Sequence, residues 1–165
     1  MAKQQTRSKN RVPGGKGPIV RLDRHPQSFG DSLEDLKKLS KAKLPKRRSV
    51  DLFCGCGGLS LGLESAGFVP ILGVDENSTA LETWGHLFPG VPANLDLHDP
   101  VVIESVVDTL NTIGRIDLIA GGPPCQPFSR AGRALLRKLV EEGRRDEHDV
   151  RRDLWQSFLE IVTKV

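Results

Sequence analysis

From Ser49 onward the apolar residues of this 165-residue chain alternate between two periods. Ser49-Val50-Asp51-Leu52-Phe53 is a short β-prone run that breaks into Cys54-Gly55-Cys56-Gly57-Gly58. It resumes as Leu59 to Ala66 with the apolar spacing of a helix. Phe68 to Val74 reads as a second strand closed by Asp75, and Asn77 is placed to cap a helix running to about Leu87, where Phe88-Pro89-Gly90 ends it. Asp99 caps a third helix, with Pro100 at its first position and Val101 to about Leu110 as its body. Ile116 to Ala120 is the next buried strand and empties into Gly121-Gly122-Pro123-Pro124-Cys125. Strands alternating with helices at this spacing predict an α/β fold, a doubly wound parallel sheet covered on both faces. Ligands of such sheets lie beyond the carboxyl ends of the strands, the edge where Cys54 to Gly58, Asp75, Asp96 and Cys125 should meet.

The flanks read differently. Met1 to Pro18 lacks an apolar period and is rich in Lys, Arg, Gln, Ser, Gly and Pro, a composition that buries too little surface to fold. Residues 1–48 are therefore expected to form a largely disordered basic arm, with order beginning at Ser49. Leu33, Leu36 and Leu39, behind an Asp31-Ser32 cap, predict one short helix near residues 32–43, ended by Pro45. Arg130 to Asp149, dense in Arg and Glu, reads as a long connection of the kind that serves as a lid. A last amphipathic helix runs from about Arg152 to Val165.

Charge sharpens this division. Met1 to Ser49 carries fourteen Lys and Arg against four Asp and Glu, a balance of +10, whereas the remainder carries ten against seventeen, −7. A basic arm before an acidic body adds salt-dependent attraction to phosphate. Three cysteines, with no apolar stretch near Met1 that would serve as a signal or span a bilayer, predict a reduced cytoplasmic protein without membrane contact. Cys54-x-Cys56 lacks further ligands at compact spacing, since His86 and His98 are far off in sequence, so no metal site is expected. The two cysteines read as small buried side chains in a turn.

The chemistry concentrates in two segments. Gly55, Gly57 and Gly58 between a strand and a helix let the backbone approach a ligand near unsatisfied helix N–H groups, although a tight turn without a ligand has the same glycines. Asp75 favours the ligand, because a carboxylate ending the second strand accepts hydrogen bonds from ribose hydroxyls, which suggests an adenosine-type cofactor. The second segment, Gly121 to Ser129, holds three prolines and two glycines around Cys125. Core cysteines sit in strands and helices; one fixed in a proline bracket at the ligand edge is placed as a nucleophile.

These residues resemble the cytosine-5 DNA methyltransferases. Asp51-Leu52-Phe53-Cys54-Gly55-Cys56-Gly57-Gly58-Leu59-Ser60 is similar to the family's first motif, and Pro124-Cys125-Gln126 to its catalytic motif. The resemblance covers roughly Ser49 to Val165 and implies a Rossmann-like domain that uses S-adenosylmethionine and acts on double-stranded DNA. It implies a cofactor set of Phe53, Gly55, Gly57, Gly58, Asp75, Glu76, Asp96, Leu97 and Leu154. Asp75 matches the acid on the ribose and Asp96 the acid near the adenine amino group. It also implies that Cys125 adds to carbon 6 of a flipped-out cytosine, with Pro124 and Gln126 setting the loop and Ser129, Arg130 and Arg133 on phosphates.

One element of the family pattern is missing. Members carry a Glu-Asn-Val strand whose glutamate assists the nucleophile, and no Glu-Asn-Val occurs in these 165 residues. The sheet is therefore expected to be incomplete, with an exposed strand edge and an unpartnered face on the last helix. The chain alone is expected to have little or no methyl-transfer activity, as a fragment or as half of a split enzyme completed by a second chain. Resemblance to restriction-modification enzymes favours DNA. A transfer-RNA cytosine-5 methyltransferase and a non-catalytic cofactor-binding remnant are the alternatives.

Overall fold

A computed structural model describes residues 23–39, 44–124, 138, 140, 142 and 153–165. Its elements are α1 (Leu33–Lys38), β1 (Arg48–Leu52), α2 (Gly58–Ser65), β2 (Val69–Asp75), α3 (Ser78–Leu87), β3 (Val91–Asn94), α4 (Pro100–Ile113), β4 (Leu118–Gly121) and α5 (Leu154–Lys164). The four strands form one all-parallel sheet in the order β3-β2-β1-β4, so the α/β expectation holds. Successive strands add on one side of β1 until β3, and β4 then joins on the other side, which places a topological switch point between β1 and β4.

Side chains alternate across a strand, and that period assigns the two faces. Asp51 of β1 pairs in register with Gly73 of β2. Asp51 bonds Ser60 of α2, and a Cβ on Gly73 would meet the Trp84 ring of α3, so this face carries α2 and α3. The alternate residues Val50, Leu52, Leu72 and Val74 join Leu36 of α1 and Ile103, Val106 and Leu110 of α4 in the main buried core. Helix α4 packs on both α1 and α5, and Asn111 Nδ2 donates to the Lys164 carbonyl at 3.1 Å.

Helix ends follow the local chemistry. Asn77 caps α3 by accepting from Thr79 N and Ala80 N, both at 3.1 Å, and Asp99 Oδ1 caps α4 by accepting from Val101 N at 2.8 Å. Helix α4 runs three residues past the expected Leu110 because the first residue suited to stop it is Gly114, at φ 81°. Asn77→Ala is expected to destabilise the fold by about 1 kcal/mol, read as a lower midpoint in urea unfolding with an unchanged slope.

Three observations differ from expectation. Order does not begin at Ser49. His25 N donates to the Gly85 carbonyl at 3.1 Å, Phe29 N donates to the Pro89 carbonyl at 2.6 Å, and Leu36 is fully buried. Leu33, Leu36 and Leu39 read as a helix, but the positive charge of residues 1–48 hides that they and Phe29 pack on the core. Helix α1 is shorter than residues 32–43, ending at Lys38, with Ser32 as its cap; residues 1–22 and 40–43 lie outside the described set. Strand β3 gives no strand signal in the sequence, because Pro92 argues against one. The proline is accommodated because, among the described residues, β3 lies at an edge of the sheet.

At the other side of the sheet β4 pairs with β1 alone among the described residues, and α5 exposes Trp155, Leu159 and Val162 along one stripe. Among the described residues no helix is long and apolar enough to cross a membrane.

Candidate active site at the carboxyl edge

Beyond the carboxyl ends of β1, β2, β3 and β4 lies an open cavity of about 210 Å³, smaller than the roughly 300–1,000 Å³ usual for small-molecule sites. It is lined by Phe53, Asp75, Glu76, Leu95, Asp96, Leu97, His98, Gly122, Pro124 and Leu154. Each strand contributes the residues immediately after its end, as the topology requires.

The β1 exit is a tight turn. Phe53 takes a left-handed φ of 60°, uncommon for a residue with a side chain and a form of strain found at ligand sites. Cys54 N donates to the Val74 carbonyl at 3.0 Å, and Gly57 N closes the turn on the Cys54 carbonyl at 2.9 Å. The glycines are not equivalent. Gly55 has φ 52° and open space where a Cβ would stand. Gly57 has φ 94°, and a Cβ there would meet Phe88 and, at 2.8 Å, Cδ1 of Trp84. Gly57 thus lacks a side chain because α3 lies against it, whereas Gly55 leaves room on the solvent side.

Asp75 holds the turn to β2. Its Oδ2 accepts from Gly55 N and its Oδ1 from Asn77 N, both at 2.8 Å. A carboxylate oxygen has about two lone-pair sites, so each oxygen retains an acceptor for a ligand hydroxyl. Asn94 of β3 braces the same end, its Nδ2 donating to the carbonyls of Asp75 at 3.1 Å and Glu76 at 2.9 Å. Asp96 Oδ1 accepts from both His98 N and His98 Nδ1 at 2.9 Å. The His98 amide first, and then its ring, hold the Asp96 carboxyl below the usual range, so the cavity wall carries a stable negative charge.

The fourth strand closes the site. Gly122 N donates to the Leu52 carbonyl at 3.2 Å, and a Cβ on Gly121 would meet that carbonyl and, at 2.9 Å, the Phe158 ring of α5. Pro124 reaches the cavity wall one residue before Cys125.

Of the residues expected at the cofactor, Phe53, Asp75, Glu76, Asp96, Leu97 and Leu154 line this one cavity, together with Pro124. Gly55 touches it through Asp75, while Gly57 and Gly58 are not among its lining residues. Cys125, Gln126, Ser129, Arg130 and Arg133 lie outside the described residues, as does most of the expected lid from Arg130 to Asp149. Leu95, His98 and Gly122 line the cavity without having been foreseen. Leu95 and His98 follow the unpredicted β3, so no strand end pointed to them, and Gly122 stood in the proline bracket in plain view.

The cysteines of the turn separate. Cys54 is buried, and burial first, then the charges of Asp51 and Asp75, push its thiol far up, which makes it inert. Cys56 is exposed, contrary to the expectation that both are buried. Among the described residues no three His, Cys, Asp or Glu side chains are grouped to hold a metal ion.

The family model for C-5 cytosine-specific DNA methylase matches residues 47–165. The chain belongs to that family. Its relatives include the type II methyltransferase M.HgiGI of Herpetosiphon aurantiacus, 36% identical over 118 residues that cover 72% of this chain and 82% of that protein. Type II methyltransferase M.HindV of Haemophilus influenzae is 38% identical over 118 residues, covering 72% of this chain and 34% of that protein. A relative in Oceanobacillus iheyensis, 36% identical over 127 residues, is spanned over only 27% of its length. The matched region contains the cavity from Phe53 to Leu154, so the geometry above is that of a DNA cytosine-5 methyltransferase family member, a family that acts on DNA.

Proposed function

We propose that the cavity binds S-adenosylmethionine and that Cys125 is the nucleophile for methylation of cytosine carbon 5 in double-stranded DNA. The observation that carries this reading is the convergence of Phe53, Asp75, Glu76, Asp96, Leu97 and Leu154 on one cavity beside Pro124. The donor set suits that cofactor. Asp75 offers spare acceptors to ribose hydroxyls, Phe53, Leu97 and Leu154 offer apolar surface to the adenine, and Asp75, Glu76 and Asp96 complement a cationic ligand. When bound, S-adenosylmethionine supplies an activated methyl group. Cys125 as thiolate would form a bond to carbon 6 of a flipped cytosine, moving electron density to carbon 5 so that this carbon could take the methyl as its bond to sulfur breaks and S-adenosylhomocysteine leaves. Loss of the carbon 5 proton and expulsion of the Cys125 thiolate restore the ring. Pro124 and Gln126 shape the loop, and Ser129, Arg130 and Arg133 take phosphate oxygens.

The glutamate of Glu-Asn-Val is not among these 165 residues. In this reading the general acid is supplied from outside this sequence, and the chain by itself transfers methyl groups little or not at all. The test is transfer of labelled methyl from S-adenosylmethionine to DNA or transfer RNA, by the chain alone and together with a polypeptide carrying the Glu-Asn-Val strand. Label in DNA only with both polypeptides is the expected result. Label in transfer RNA alone would move the substrate to RNA, and cofactor binding without label in any mixture would leave a non-catalytic remnant.

A further inference from the structure

Helix α2 starts without a cap of its own. Its N-cap is Gly57, which has no side chain to offer, and its first turn contains no acidic residue. The missing acceptor comes from the sheet beneath. Asp51 Oδ2 accepts from Ser60 N at 3.1 Å and from the Ser60 hydroxyl at 2.6 Å, and that hydroxyl accepts from Trp84 Nε1 at 2.9 Å. All three side chains are buried, and the chain of bonds ties β1, α2 and α3 together directly under the Gly55–Gly58 turn.

Trp84 is wedged there by the absence of other side chains. A Cβ on Gly57, Gly73 or Gly90 would stand within 2.5–2.8 Å of its ring. Three glycines, one before α2, one in β2 and one before β3, therefore make room for one indole, and any movement of the turn must move against that ring.

Asp51 is an expensive way to cap a helix. Its residue is 1% exposed, and its Oδ1 has no hydrogen-bond partner among the described residues. Burial raises its carboxyl, the Ser60 bonds oppose that shift, and the charge of Asp75 adds to it. A buried carboxylate with an idle oxygen costs stability, and such atoms in native proteins call for an explanation beyond packing.

We propose that Asp51, Ser60 and Trp84 are positioning residues for the cofactor, a buried hydrogen-bonded chain that fixes the Gly55–Gly58 turn and transmits occupation of the cavity to the Trp84 indole. This rests on the reading of the cavity as an S-adenosylmethionine site. The chain acts through the turn and touches no ligand itself. Asp51 supplies a negative end to the α2 N-terminus, Ser60 relays it, and Trp84 sets the distance between the turn and α3.

The experiment uses titration calorimetry with S-adenosylhomocysteine and the emission of Trp84. The sequence has two tryptophans, so Trp155→Phe leaves Trp84 as the sole fluorophore. Binding is expected to shift its emission. Ser60→Ala should weaken binding about tenfold and remove the emission response, with far-UV circular dichroism unchanged. Trp84→Phe deletes the indole donor together with part of the ring, and should weaken binding in the same direction if Ser60→Ala does not fold. Thr109→Ala, a buried polar deletion in α4 away from the turn, should leave affinity unchanged. Ser60→Ala or Trp84→Phe binding as tightly as the unsubstituted chain, or a Trp84 emission blind to the ligand, overturns the positioning role. No binding by the unsubstituted chain sinks the cofactor reading itself, and the positioning role with it.

Discussion

Replacing Cys125 by alanine is expected to abolish the covalent adduct with DNA containing 5-fluorocytosine, in whichever assembly of this chain transfers methyl groups. Fluorine at carbon 5 leaves no proton to lose after methylation, so in the proposed mechanism the Cys125–carbon 6 bond should persist and survive denaturing electrophoresis. Without the sulfur there is no addition, carbon 5 stays a poor nucleophile, and turnover should fall roughly a thousandfold or more. Cys54→Ser is the internal control. Cys54 is buried and its thiol is held protonated, so its loss should leave adduct yield intact. An adduct that persists in Cys125→Ala would transfer the role to Cys56, the exposed cysteine of the turn.

Asp75→Ala should weaken S-adenosylhomocysteine binding by about a hundredfold or more, the loss associated with two hydrogen bonds to a charged acceptor. The change also strips the acceptor from Gly55 N and Asn77 N, so the turn and the start of α3 loosen together. Asp75→Asn should fall between, since its single carbonyl oxygen cannot serve both amides. Calorimetry reads the difference directly. An unchanged affinity in Asp75→Ala would place the ligand elsewhere.

How much of this was legible in the sequence depends on how local the signal is. The first strand, glycine turn and helix were plain because the change of period and the turn residues fall within eighteen positions, Arg48 to Ser65, and the caps Asn77 and Asp99 announce α3 and α4. Of the cavity's acids, Asp75 was legible from the end of β2 and Asp96 through the resemblance alone. Strand β3 was not, since Pro92 contradicts the local preference and only edge placement reconciles it. Burial of Phe29 and Leu36 was hidden for a related reason: composition averages a basic segment, whereas packing selects its few apolar residues. Gly57 illustrates a different gap. The sequence marks it as a turn glycine, but that its missing side chain accommodates Trp84 and Phe88 depends on where α3 returns to the turn. The Asp51–Ser60–Trp84 chain lies further still from local reading, joining positions nine and twenty-four residues apart.

The most direct test of the central claim is a crystal structure of this chain with S-adenosylhomocysteine. The ribose hydroxyls should sit on the Asp75 carboxylate, with the adenine among Phe53, Leu97 and Leu154 and close to Asp96. A nucleoside bound instead in the second cavity, lined by Arg24, Glu82, His86 and Asn94 on the outer side of α3 and β3, would contradict it.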